Sequence, residues 1–212
     1  MLEKFINFKI EFKLLLLLII VFIFTTIIGT VSHECGHFIG AKIIGFNAKV
    51  HYGYTSIIYD GDLRGKDQFD RFVFTLGGPV QTMFTGTAGL MLLFVFKKSN
   101  PVSSINLKQW FFIFLSLFWL RQTANFATWI IGYLVNDKLS LRGDEIKLAQ
   151  YLQLPLWSII LPTALVGCIV AIIVIFKFVP LHQRFTFVVA GLIGGFSGYI
   201  LWLEIFGKMI MP

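Results

Sequence analysis

His33-Glu34-Cys35-Gly36-His37 sets two imidazoles and a carboxylate within five consecutive residues. On an α-helix, residues four apart stack on one face, so His33 and His37 can both reach a single ion. Zinc takes histidine nitrogens at about 2.0–2.1 Å, a reach this spacing permits. Glu34 points to the side of the pair, where a carboxylate can take a proton from water that the ion activates. Metal-assisted hydrolysis is the chemistry this pattern serves. Two histidines and a glutamate inside an apolar run would be costly without partners, which favours a site over a chance grouping.

Two histidines and a water leave a tetrahedral zinc one protein ligand short. If the helix starts near Leu14, His33 stands about 28 Å along it, close to the far face of a bilayer. The segment Arg142-Gly143-Asp144-Glu145-Ile146-Lys147-Leu148 falls on the same side. Asp144 there is the candidate third ligand, and it also reads as the N-cap of a short helix reaching Leu152. Glu145, Asp137 and His51 stay open as substitutes. Glu204 lies near the right end of the last apolar run, where it can simply reach the interface, and His182 belongs to the opposite face.

Arg121 lies inside an apolar run with Asn125 one turn later. A charge at that depth needs a partner within the protein. The pair therefore reads either as a structural ion pair or carbonyl clamp, or as groups orienting substrate and stabilising an oxyanion. Gly77-Gly78 precede Pro79. They read either as a place where a substrate backbone approaches closely or as a chain break before a proline in a first helical turn.

The elements that must hold these residues follow from composition. Of 212 residues 57% are hydrophobic and 14% charged, with mean hydropathy +0.80; a soluble domain carries about 25% charged residues. The excess falls into five apolar runs, Leu14–Gly45, Pro79–Phe96, Trp110–Leu134, Leu156–Phe178 and Phe185–Phe206. Runs of about 20 such residues cross a hydrocarbon core of roughly 30 Å. The expected fold is an all-α polytopic membrane protein with about five transmembrane helices, forming a single domain over residues 1–212. Lys49 to Tyr59 is rich in β-branched and aromatic residues and ends at Asp60-Gly61, which predicts one or two short interfacial strands with a turn. Gly191, Gly194, Gly195 and Gly198 give small-xxx-small spacing and predict close helix contact.

The net charge is +7, with basic residues between the apolar runs, a pattern of contact with lipid headgroups rather than nucleic acid. Seventeen of the lysines and arginines divide eight to nine between the two sides, so the positive-inside rule favours neither orientation. Cys35 and Cys168 are two isolated thiols and make no disulfide framework.

The chain resembles the site-2 protease family of intramembrane zinc metalloproteases. His33-Glu34-Cys35-Gly36-His37-Phe38 looks like that family's zinc helix, Gly77-Gly78-Pro79 like the element opening a later core helix, and Asn125 and Asp144 stand roughly where it has an asparagine and a metal-binding aspartate. The family usually has Asn-x-x-Pro and then Leu-Asp-Gly, whereas Asn125 lacks the proline and Asp144 is followed by Glu145. The resemblance implies a Zn²⁺-dependent endopeptidase of a multi-pass cell-membrane protein, cutting transmembrane protein or peptide substrates. Glu34 would be the catalytic base and His33, His37 and Asp144 the metal ligands, with a strand near Val50–Ile58 holding the unwound substrate by β-augmentation. Two other classes fit less of the pattern. A metal transporter has no need of the glutamate between the histidines, and a non-catalytic chaperone or scaffold on a protease fold has no need of Glu34. The sequence leaves the oligomeric state open.

Overall fold

The computed structural model describes residues 6–58, 67–96 and 105–212. The expected Asp60-Gly61 turn and Tyr59 lie outside the described residues. The architecture is an all-α membrane protein with one short β element. Among the described residues the α-helices and strands follow one another as α1 (Phe12–Ile43), β1 (Asn47–Val50), β2 (Thr55–Ile58), α2 (Gln68–Val95), α3 (Leu107–Ser116), α4 (Leu120–Asn136), α5 (Asp144–Tyr151), α6 (Trp157–Ile173), α7 (Arg184–Ile200) and α8 (Gly207–Ile210). Among the described residues, four helical stretches are long and apolar enough to cross a membrane, Phe12–Ile43, Gln68–Val95, Trp157–Phe178 and Leu181–Ile210.

The third apolar run is broken. A 3₁₀ turn at Leu117–Trp119 separates α3 from α4. Close packing on α2 accompanies the break, since a Cβ on Gly89 would come 2.6 Å from Leu115 Cβ and one on Gly86 3.0 Å from the Trp119 backbone nitrogen. α3 starts on a capping box, with Gln109 N–H donating to Asn106 Oδ1 at 2.8 Å. α6 and α7 each end in a π-helical turn, at Val174–Phe178 and Leu201–Phe206.

α1 is the central element, about 48 Å long at 1.5 Å per residue and so longer than the hydrocarbon core. α7 packs along it through glycines. A Cβ on Gly194 would stand 2.6 Å from the Ile19 carbonyl oxygen, and one on Gly198 2.9 Å from Thr26 Cβ. The small-xxx-small spacing is thus used within the chain. Backbones that close together maximise dispersion contact where no hydrophobic force operates. At the end of the bundle away from His33, Leu18, Phe22, Phe114 and Phe187 form the main buried cluster. Phe22 meets Phe114 edge-on, with centroids 5.0 Å apart.

α2 requires a correction. The reading that Gly77-Gly78-Pro79 opens a helix does not hold, because α2 starts at Gln68 and carries Pro79 buried in its interior. Pro79 has no N–H to give to the Thr75 carbonyl, so this turn of α2 lacks one internal hydrogen bond.

The strands form an antiparallel hairpin with Val50 opposite Thr55 and Asn47 opposite Ile58. Its turn is His51–Tyr54. Trp202 Nε1 donates to the Tyr52 carbonyl at 2.6 Å, and Tyr52 N–H donates to the Met211 carbonyl at 3.0 Å, tying the turn to the end of the chain's helices. α5 is held by Ile146, 0% exposed, which packs with Trp129 of α4 and Ile160 of α6. Fully burying such a side chain contributes about 1.5–3 kcal/mol.

Candidate metal centre

His33 and His37 lie on the face of α1 that meets α2, and both are buried. α1 and α2 approach backbone to backbone there. A Cβ on Gly36 would fall on the Gly77 carbonyl oxygen, and one on Gly40 2.9 Å from the Val73 carbonyl oxygen. Gly77 accepts the α1 backbone in the same way. Gly78 does something different. A Cβ there would fall on His37 Nε2 and lie 2.5 Å from His33 Nε2, so its missing side chain is the space in which the two imidazoles converge. The expected use of Gly77 and Gly78, substrate approach or a chain break, is therefore replaced by two packing roles inside the molecule.

α5 delivers the carboxylate. Gly143 precedes it with φ 107°, a conformation costly for any residue with a Cβ, and this turn brings Asp144 in as the first helical residue. The expected N-cap role falls to Gly143 instead. Asp144 Oδ2 stands 2.9 Å from His33 Nε2 and 3.2 Å from His37 Nε2, and the two Nε2 atoms are 3.2 Å apart. Four ligands at 2.0–2.1 Å around a tetrahedral ion are spaced by about 3.3–3.4 Å. The triangle is within a few tenths of an ångström of that spacing.

The other ring nitrogens fix the tautomers. His37 Nδ1–H donates to the Phe74 carbonyl at 2.8 Å, and a carbonyl can only accept. The Thr82 hydroxyl donates to the Gly78 carbonyl at 3.1 Å and so receives His33 Nδ1–H at 2.8 Å. Both Nε2 atoms then present lone pairs toward each other and toward the Asp144 oxygen. Three acceptors crowded without a proton between them repel, and a cation removes the conflict. The donor set fits a metal ion on this ground, with the outer hydrogen bonds that metal-binding histidines characteristically make.

Glu34 is the second carboxylate in reach, 4% exposed. Its ligand oxygen, His33 and His37 all lie within 4.8 Å of one another. Asp144 Oδ2 lies within 3.2 Å of both imidazoles, whereas Glu34 turns to Thr55, whose hydroxyl lies 2.9 Å from the Glu34 carbonyl oxygen and 3.1 Å from its Oε2. The hairpin therefore touches the cluster through β2.

Asn125 is engaged elsewhere. Its Nδ2 stands 3.3 and 3.4 Å from the two carboxylate oxygens of Glu145, which is 1% exposed. Burial pushes the Glu145 carboxyl up, and the neighbouring Asp144 charge adds to this. Arg121 lies one turn deeper, its Nε buried without a hydrogen-bond partner, and its charge acts on His33, Glu34 and Glu145. The remaining candidates lie apart from the cluster. His51 stacks on Tyr54 and uses both ring nitrogens, on the Pro212 carbonyl and on Ser56 Oγ. Asp137 caps the C-terminus of α4 at φ 51°, Glu204 pairs with Lys208 at 2.7 Å, and His182 stands 3.9 Å from Glu11. Thr82, the Phe74 carbonyl and Thr55 belong to the site without any signal in the sequence pattern. Their roles arise from the pairing of α1 with α2 and with the hairpin.

No protein-family model, curated protein or solved structure matches the chain.

Proposed function

We propose that this protein is a zinc-dependent endopeptidase of the site-2 protease type, a multi-pass protein of a cell membrane that hydrolyses peptide bonds of membrane-embedded substrates. The observation that carries the reading is the convergence of His33, His37 and Asp144 from two elements onto one point, with Glu34 beside it, near the end of a helix apolar enough to span a bilayer.

His33 Nε2, His37 Nε2 and an Asp144 oxygen would hold the ion. Bound there, zinc supplies Lewis acidity that polarises a scissile carbonyl and brings the pKa of water toward about 7. Glu34 accepts the proton as the water oxygen bonds to the carbonyl carbon, then returns it to the amine as the carbon–nitrogen bond breaks. Thr55 holds Glu34 in place for both transfers. Arg121, with an unpartnered Nε, is a candidate donor to the developing oxyanion, whereas Asn125 serves Glu145. A substrate helix must unwind before its backbone is accessible, and β2, paired only with β1 among the described residues, offers an edge for an extended segment.

The test is Glu34→Gln in zinc-loaded protein reconstituted with a membrane-spanning peptide. Metal is expected to stay bound while cleavage falls by about 10²-fold or more. Cleavage at the wild-type rate would exclude Glu34 as the base. Zinc flux across the vesicle membrane that survives the substitution, with no peptide cut by wild type, would favour transport instead.

A further inference from the structure

A half-open cleft of about 350 Å³ runs beside the cluster, between β2, the first turns of α2 and the outer face of α5. Its volume lies in the range of pockets that bury a small ligand. Thr55, Phe74, Asp70, Arg71, Lys147 and Tyr151 are among its walls. Two of them belong to the site already described. Thr55 holds Glu34, and the Phe74 carbonyl holds His37. Lys147 lies one turn beyond Asp144 on α5. The cleft therefore adjoins the cluster through Thr55 and Phe74, which contact Glu34 and His37.

Its charges are unequal. Asp70 sits in the first turn of α2, where the helix N-terminus offsets a negative charge. Arg71 and Lys147 are exposed, and among the described residues neither has a carboxylate partner. Among the described residues, two exposed cations against one compensated anion make the lining positive. Lipid phosphate at the membrane surface would meet the same charges. The contact of two wall residues, Thr55 and Phe74, with Glu34 and His37 favours a group carried by the substrate.

We propose that this cleft receives an acidic side chain of the substrate beside the scissile bond, its carboxylate paired with Arg71 and Lys147. The assignment rests on the peptidase reading, so its test includes a readout that needs no cleavage. Zinc-loaded Glu34→Gln protein in vesicles of neutral lipid is titrated with fluorescent membrane-spanning peptides that differ only in Glu, Gln or Lys next to the cut position. Wild type is assayed for cleavage of the same series.

The expected order of affinity is Glu over Gln over Lys, with about tenfold between the extremes for a carboxylate meeting two partly exposed cations. Arg71→Glu combined with Lys147→Glu is expected to reverse the order, and kcat/KM of the same double variant should shift through KM. Equal affinity for all three peptides overturns the proposal. A double variant that changes only the response to added anionic lipid, leaving the Glu-to-Lys ratio unchanged, also overturns it and assigns the cations to headgroups. Charge-ordered binding without cleavage by wild type supports the cleft and removes the peptidase reading alone.

Discussion

Replacing Gly78 by alanine puts a methyl group where the two imidazoles meet. The new Cβ would lie 2.5 Å from His33 Nε2 and closer still to His37 Nε2. Ordinary contact begins near 3.4 Å, so His33 alone must retreat by about 0.9 Å, the difference of the two distances. Neither ring retreats freely, since Thr82 holds Nδ1 of His33 and the Phe74 carbonyl holds Nδ1 of His37. An ion held at about 2.0–2.1 Å tolerates errors of roughly 0.2 Å in its ligands. Disturbing one histidine's orientation typically lowers metal affinity about 10–100-fold, so displacing two should lower it by about 10²–10⁴-fold. Helix propensity works the other way, since alanine is favoured over glycine by about 1 kcal/mol in a helix interior. The variant should therefore stay helical while losing zinc. Competition against a chelating dye, with circular dichroism on the same sample, reads both. Gly195→Ala is the control, because nothing lies within 4 Å of the Cβ it would add. Wild-type zinc affinity in Gly78→Ala would refute the assignment of that space to the converging imidazoles.

Other substitutions probe the supports of the site. Thr82→Val leaves the buried His33 Nδ1–H without an acceptor and should reduce zinc affinity about 10–100-fold at unchanged helicity, read by the same competition; unchanged affinity would show that the hydroxyl does not orient the ring. Ile146→Ala opens a cavity under α5 and should lower stability by about 2–5 kcal/mol, measured by thermal or denaturant unfolding in detergent. A loss below about 1 kcal/mol would mean that α5 is not anchored there. Asn125→Ala removes the donor facing buried Glu145, at a cost of about 1–3 kcal/mol, and should weaken zinc binding only indirectly through the position of α5.

The readable part of this protein is the part encoded locally. His33 and His37 are four residues apart on one long apolar helix, and helical periodicity alone aligns them. Asp144 was reachable from topology, because crossings of the bilayer constrain which loops share a side. The small-xxx-small glycines of α7 likewise pointed to close contact, and Gly191, Gly194 and Gly198 pack on α1, whereas Gly195 faces open space. What depends on pairing between distant elements was not legible. Gly77-Gly78-Pro79 has the composition of a helix start, yet the triplet lies inside α2, because close approach to Gly36 and space for two imidazoles favour glycine there over local turn chemistry. Asn125 has the spacing of a substrate-binding group, but the buried carboxylate of Glu145 claims it. Thr82 and Thr55 are ordinary residues until α2 and the hairpin are docked on α1. The 3₁₀ break at Leu117–Trp119 is equally invisible in a run of apolar residues, since nothing in its own composition interrupts a helix.

The proposed function requires His33, His37 and Asp144 to hold one zinc ion. Elemental analysis of detergent-purified, folded protein tests it most directly, with wild type, His37→Ala and Asp144→Asn compared at equal protein concentration. About one zinc per chain is expected in wild type, as for a single three-ligand site, with clear loss in both variants. Folded wild type without metal, or Asp144→Asn with the full wild-type content, would contradict it.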